Sequence, residues 1–233
     1  MIRAVIFDLF NTLLYMRPTS AWGEGIRLAA QVGLTKEQWL AGWRSTAQRA
    51  MRGQIRSVNE RVRQALIAAG LPRPPDSVVE SMGAARRRDW LQSAALYDDV
   101  VDSLTDLRQS GYRLGLVSNI FPYEADITEH VGLRPLLDAV VLSCDIGVCK
   151  PDARIYLAGA DALSAAATEC VFVGDGMSRE LSGARAVGMT AVRIDRSIRD
   201  EGHERDEAYD ARVTALPELI EWLARTSERT EHG

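Results

Sequence analysis

MIRAVIFDLFNT, residues 1–12, is the stretch on which the fold turns. Four apolar residues in a row, Ala4, Val5, Ile6 and Phe7, run straight into Asp8. A short unbroken apolar run predicts a strand buried on both faces, as in the middle of a parallel sheet. Open α/β sheets bind ligands off the carboxyl ends of their strands, so Asp8 is expected at a ligand-binding edge. The competing reading is that Asp8 only caps the next turn, and the rest of the chain decides between them.

From about residue 97 onward, strands and helices alternate. RLGLV (113–117) ends in Ser118 and Asn119, AVVLS (139–143) is a third strand, and residues 170–173 run into Gly174 and Asp175. A fifth strand is expected at 189–194, with helices at about 100–107, 124–131, 153–163, 178–187 and 216–223. This alternation predicts an α/β fold with a doubly wound parallel sheet. The charged stretch 199–212 reads as a solvated loop.

After the first strand, Leu13 to about Trp90 reads as helical throughout. Thr35 with Gln38, and Ser57 with Glu60, have the spacing of capping boxes. Gly33, Gly53 and Gly70 are stops, and LPRPP (71–75) is a stiff turn. Four helices are expected here, making a small bundle over residues 15–92. The sheet-forming core would then comprise residues 1–14 and 93–233. Trp39 and Trp43 lie one helical turn apart and are assigned to the interior of the bundle or its contact with the core. Arg86, Arg87 and Arg88 read as a solvated helix face.

A formal net charge of -4 argues against a nucleic-acid partner, which usually meets a basic face. No apolar run reaches 18 residues, so no membrane span is expected. Residues 1–12 lack the pattern of a secretory leader. Cys144, Cys149 and Cys170 are scattered and odd in number, which suits reduced thiols and a cytoplasmic location. Of the 28 basic residues only Lys36 and Lys150 are lysines. Where arginine serves for generic charge, a retained lysine marks a role that needs a compact ammonium.

In a parallel sheet, Asp8, Ser118 and Asp175 at strand ends and Lys150 before a helix fall on one edge. Singly, each has a bland reading as a cap, a turn or a surface charge. Together and in this order, they resemble the motifs of the haloacid dehalogenase-like hydrolase superfamily. The matching stretches are FDLFNTLL (7–14), LVSN (116–119), KPDARIY (150–156) and VFVGDGMSRELSGARAVGM (171–189). The resemblance implies a Rossmann-like core, with residues 15–92 as a helical cap domain inserted after the first strand. It implies Asp8 as nucleophile, with Ser118 and Lys150 holding and neutralising the transferring group. It implies Mg²⁺ held by Asp8, the backbone carbonyl of Phe10 and Asp175. Glu180 is expected to orient Lys150 or a metal-bound water, and Thr12 and Asn119 to bind substrate through hydrogen bonds. The implied partner is a small-molecule substrate, with the chain a monomer or homodimer.

Phe10 departs from the pattern. Family phosphatases usually carry an Asp two residues after the nucleophile as general acid and base, a contribution worth roughly a hundred- to ten-thousand-fold. Family 2-haloacid dehalogenases have an aromatic residue there, because halide leaves without a proton, but they replace the metal-binding Asp that this chain keeps as Asp175. The favoured reading is a Mg²⁺-dependent phosphohydrolase acting on a small phosphorylated metabolite with a good leaving group. The alternatives are a 2-haloacid dehalogenase and a non-catalytic binding or regulatory protein. Arg44, Arg49, Arg52 and Arg56 flank the Gly53 break, where a loop could reach the site. Arg52 is the expected contact for an anionic substrate tail.

Overall fold

The structure, a computed structural model, describes residues 1–17, 21–196 and 208–231. β1 (Ala4–Phe7) is followed by β2 (Leu14–Met16) and then by five helices: α1 (Ala21–Gln31), α2 (Lys36–Ser45), α3 (Ala47–Met51), α4 (Val58–Ala68) and α5 (Asp76–Ser93). β3 (Ala94–Leu96) returns to pair antiparallel with β2. The chain continues through α6 (Val100–Gln109), β4 (Arg113–Ser118), α7 (Ile127–His130), β5 (Ala139–Leu142), α8 (Ser143–Ile146) and α9 (Ala153–Ala162). It ends with β6 (Cys170–Gly174), α10 (Glu180–Ala186), β7 (Thr190–Ile194), β8 (Ala211–Val213) and α11 (Leu216–Glu231).

The main sheet has the order β5-β4-β1-β6-β7-β8, and every neighbouring pair is parallel. Side chains alternate between the two faces of a strand. Val5 and Phe7 point into a cluster with Leu116, Val173, Leu104 and Leu219, which α6 and α11 cover. Ala4 and Ile6 point the other way, into Ile155, Phe172 and Leu181 under α9 and α10. Burying such a side chain contributes about 1.5–3 kcal/mol, so a strand apolar on both faces is most stable at the centre. The α/β sheet expected from the sequence is therefore the one observed. Among the described residues, no helix is long and apolar enough to cross a membrane.

Several elements differ from the sequence reading. The helical segment does not start at residue 13: β2 and β3 form a two-stranded connector between the main sheet and the helices. Each is only three residues long, too short for a periodic signal. The expected second helix splits at Thr46, whose hydroxyl donates to the Trp43 carbonyl at 2.8 Å. The Thr35–Gln38 capping box forms in both directions. At Ser57 only half of the box forms, because the Glu60 carboxylate accepts from the Arg56 N–H instead. The expected helices at 124–131 and 178–187 each open with a 3₁₀ turn, Pro122–Glu124 and Met177–Arg179. Of the charged stretch read as a loop, residues 197–207 lie outside the described residues, and Ala211–Val213 forms the edge strand β8.

Helices α1, α2, α4 and α5 share an interior of their own. Leu28, Trp39, Trp43, Leu66, Val79 and Met82 are buried together, apart from both sheet clusters. Two anchors bring this bundle to the core. Gly53 takes a left-handed φ of 71°, and a Cβ there would lie 2.1 Å from the Cys144 carbonyl oxygen. Only glycine permits that contact. Beside it, the Ser143 hydroxyl accepts from the Ile120 N–H and donates to the Met51 carbonyl at 2.8 Å.

Candidate active site

The parallel register brings distant residues to one edge. The Asp8 N–H donates to the Val173 carbonyl at 2.8 Å, which extends the β1–β6 ladder and fixes Asp8 just past the strand end. Phe7 pairs with Leu116 on one side and Val173 on the other, so Asp8 stands between the tips of β4 and β6. Those tips carry Ser118 and Asp175. Lys150 arrives from the turn before α9, held at its backbone by Asn119. The Lys150 N–H donates to Asn119 Oδ1 at 2.8 Å, and Asn119 Nδ2 donates to the Lys150 carbonyl at 3.3 Å.

Four charged groups are buried together here: Asp8, Lys150, Asp175 and Glu180. Lys150 Nζ makes a close ion pair with Asp8 and donates to Glu180 Oε2 at 2.5 Å. Glu180 Oε1 accepts from the Gly176 N–H at 3.1 Å. Gly174 makes room for this carboxylate, since a Cβ there would lie 2.2 Å from Glu180 Oε1. Burial raises the Asp8 carboxyl, and Asp175 adds to the rise against the pull of Lys150. Glu180 is raised well above the usual carboxylate range, chiefly by burial. For Lys150, burial opposes the charge, but Asp8 and Glu180 outweigh it and hold the ammonium protonated.

Asp8, Asp175 and Glu180 place carboxylate oxygens within 4.8 Å of one another. With all three carboxylates ionised, one ammonium leaves an excess of two negative charges in a buried site. Removing such charge from water is costly unless it is paired. A hard divalent cation with oxygen ligands fits this donor set in both charge and chemistry. Asp175 is oriented for such a role: Oδ1 accepts from the Met177 N–H at 2.9 Å, and Oδ2 accepts from Asn11 Nδ2 at 3.2 Å. Two hydroxyls, Ser118 Oγ and Thr12 Oγ1, are buried without a hydrogen-bond partner. Buried polar groups are ordinarily paired, so these two donors suit a ligand at the strand tips.

The charged groups open onto a cavity of about 150 Å³ lined by Asp8, Phe10, Asn11, Asn119, Lys150, Asp175, Met177, Ser178 and Glu180. Phe10 stands in its wall, half-buried, with its ring centroid 5.5 Å from that of Trp90 at the end of α5. The position two residues after Asp8 is therefore filled by hydrocarbon braced against a second ring. It offers no proton.

Residues 2–188 match the haloacid dehalogenase-like hydrolase family. The chain belongs to that family. The hydrolase is 28% identical over 241 residues to a glyceraldehyde 3-phosphate phosphatase from Methanopyrus kandleri, covering 95% of this chain and 97% of that one. It is 30% identical over 154 residues to an (S)-2-haloacid dehalogenase from a Pseudomonas species, covering 64% and 66% of the two chains. A crystal structure of a HAD phosphatase from Thermococcus onnurineus matches with a TM-score of 0.69 and 26% identity, covering 95% and 98%.

In the hydrolase, the residues singled out from the sequence divide cleanly. Asp8, Lys150, Asp175, Glu180, Asn119 and Phe10 line one cavity, and Ser118 and Thr12 lie buried beside the nearby loops and strand tips. Arg52 does not join them. It is exposed on the turn after α3 and absent from the cavity lining, because the Gly53 turn docks on α8 rather than over the site.

Sequence reading assigned no role to Asn11, although its left-handed φ of 55° is a conformation that asparagine tolerates better than most residues. Ser178 also lines the cavity with a left-handed φ of 58°, a conformation that leaves no trace in hydrophobic periodicity. Tyr156, within the KPDARIY stretch, ties α9 to α10 by donating its hydroxyl to the Glu180 carbonyl at 2.9 Å.

Of the α5 arginines read as a solvated face, Arg88 is exposed and pairs with Glu24 on the surface, but Arg86 and Arg87 are half-buried. Arg86 pairs with Glu124 at 3.1 Å, and Arg87 grips Asp126 and the Tyr123 carbonyl. Both partners lie in the segment that follows Asn119. Arg61 is almost wholly buried, with its guanidinium 3.8 Å from the Trp43 ring and 3.9 Å from Phe121. It donates to the Tyr123 hydroxyl at 2.6 Å.

Proposed function

We propose that this hydrolase is a Mg²⁺-dependent phosphohydrolase with Asp8 as its nucleophile, acting on small phosphorylated molecules whose leaving group departs without a proton. The carrying observation is the buried set of three carboxylates with one lysine, which is two positive charges short of balance. Phosphatases among the relatives support the reading, and the structural match to a HAD phosphatase agrees with it. Residues 15–92 serve as the cap over the core formed by residues 1–14 and 93–233.

An Asp8 carboxylate oxygen attacks phosphorus, and the bond from phosphorus to the leaving oxygen breaks with its electron pair staying on that oxygen. Water then attacks the phosphorus of the aspartyl phosphate. Dihydrogen phosphate leaves with both water protons, and the carboxylate is restored. Lys150, Ser118 and Thr12 hold the phosphoryl oxygens, and Asn119 fixes Lys150 from behind. A Mg²⁺ bound by Asp8, Asp175 and the Phe10 carbonyl would supply charge neutralisation for the phosphoryl group, the dominant requirement of this chemistry. Glu180 keeps Lys150 aimed at Asp8. Phe10 makes the site selective: an alkoxide leaves poorly without an acid, whereas a carboxylate or phenolate leaves readily.

Phe10 also favours a second reading, halide displacement from a 2-haloacid. There Asp8 attacks carbon, halide departs, and water hydrolyses the resulting ester. Asp175 weighs against it, since that reaction needs no cation. One assay separates the two. Hydrolysis of acetyl phosphate and p-nitrophenyl phosphate that is lost in EDTA and restored by Mg²⁺ supports the phosphohydrolase. Metal-independent chloride release from 2-chloropropionate overturns it.

A further inference from the structure

The loop from Asp8 to Leu14 carries the proposed nucleophile and the Phe10 carbonyl, yet it is a tight excursion with little regular structure. Its internal ties are few: the Leu13 and Leu14 N–H groups share the Leu9 carbonyl, and the Asn11 N–H donates to Leu14. We propose that Arg196, beyond the end of β7, is a positioning residue that clamps this loop from outside the cavity; the proposal rests on the reading of Asp8 as nucleophile.

Arg196 Nε and Nη2 both donate to the Thr12 carbonyl, at 3.1 and 2.8 Å. Nη1 donates to Asp99 Oδ2 at 2.8 Å, and that same oxygen accepts the Leu216 N–H at 2.8 Å. The guanidinium lies 4.3 Å from the centroid of Tyr97, whose backbone N–H donates to the Leu13 carbonyl at 3.1 Å. With its side chain only 6% exposed, Arg196 is held in this one geometry. Thus one side chain joins the sheet edge after β7, the connector after β3, the start of α11 and the nucleophile loop. The planar fork is essential. Two donors converge on one carbonyl while a third reaches a carboxylate, an arrangement that a lysine ammonium cannot reproduce.

Displacing a reacting group by about 1 Å can cost on the order of a hundredfold in rate. Arg196→Lys is therefore expected to lower kcat on p-nitrophenyl phosphate by about ten- to a hundredfold with KM nearly unchanged. Added guanidinium is expected to restore part of the rate to Arg196→Ala. Amide exchange in residues 9–14 should accelerate about tenfold or more in both variants, as charge-assisted hydrogen bonds are lost, while α2 and α4 exchange as in wild type. Unchanged exchange in residues 9–14 overturns the clamp, as does acceleration spread evenly through the chain. If the wild type turns over no phosphate ester, the nucleophile reading falls, while the exchange measurement still judges the clamp.

Discussion

Two charge clusters of the hydrolase are balanced in opposite ways. At the strand tips, Asp8 and Glu180 pair with a single Lys150 and Asp175 lies beside them, so the cluster is deficient in positive charge. At the junction between the helices and the core, Arg61, Arg86 and Arg87 meet Glu124 and Asp126, with Trp43, Trp90 and Phe121 beneath the guanidiniums. The second cluster completes itself: carboxylates, a phenol, carbonyls and aromatic faces satisfy the cations without help. The first cluster needs a ligand to be electrically complete. A buried cluster that satisfies itself holds the fold together, and one that does not is arranged for chemistry.

Mutations should separate the two. The largest effect is expected from Asp8→Asn, which removes the oxygen proposed to attack phosphorus. Turnover of any phosphate should fall to the uncatalysed background, as measured by phosphate release. Asp175→Asn should lower kcat/KM by roughly a hundred- to a thousandfold, the usual scale for one electrostatic contact in a site of this kind. In metal-free buffer the same variant should melt at the wild-type temperature or above, because a surplus buried charge has gone. Activity and stability would then move in opposite directions.

Arg61→Ala should do the reverse. Removing one member of a buried, satisfied charge cluster costs about 3–5 kcal/mol of stability in denaturant melts. At temperatures where the variant stays folded, Mg²⁺-dependent turnover should change far less. Equal loss of activity and stability in all three variants would break the comparison.

The smallest effect concerns pH. Burial pushes the Glu124 carboxyl up to about 7, with Arg86 and Arg61 pulling against it. Its folded pKa lies above the unfolded value of 4.5, so the protonated form favours the fold. The contribution is full below about pH 4.5 and is lost as pH rises through 7, by about 3 kcal/mol at most. Glu124→Gln should flatten the decline of stability between pH 5 and 8, read from urea midpoints. An unchanged slope would place the titrating group elsewhere.

Much of the buried charge cluster at the strand tips was legible in the sequence, for a physical reason. Each chemical residue follows a core strand or opens a helix, and parallel topology forces those positions together without further information. The scarcity of lysine pointed to Lys150, which lies fully buried between two carboxylates. The junction was not legible. Arg86 and Arg87 pair with Glu124 and Asp126, 38 and 39 residues away, and a polar run on one helix says nothing of what crosses from another element. The same holds for Arg196, 184 residues from Thr12. Arg52 misled because a glycine break marks a turn but not its direction, and this one turns into Cys144. The strands β2, β3 and β8 are three residues each, below the length at which alternation can be recognised.

Phe10 is the residue on which the proposed reaction turns, and its role can be measured directly. The central claim is a charge-neutralising site that lacks a proton donor for the leaving group. Rates for a series of aryl, acyl and alkyl phosphates in Mg²⁺, for wild type and Phe10→Asp, test it. Wild-type kcat/KM should fall steeply as the leaving-group pKa rises, and Phe10→Asp should flatten that dependence by raising alkyl phosphate turnover about a hundredfold or more. A flat dependence in the wild type, with Phe10→Asp no better on alkyl phosphates, would contradict the account.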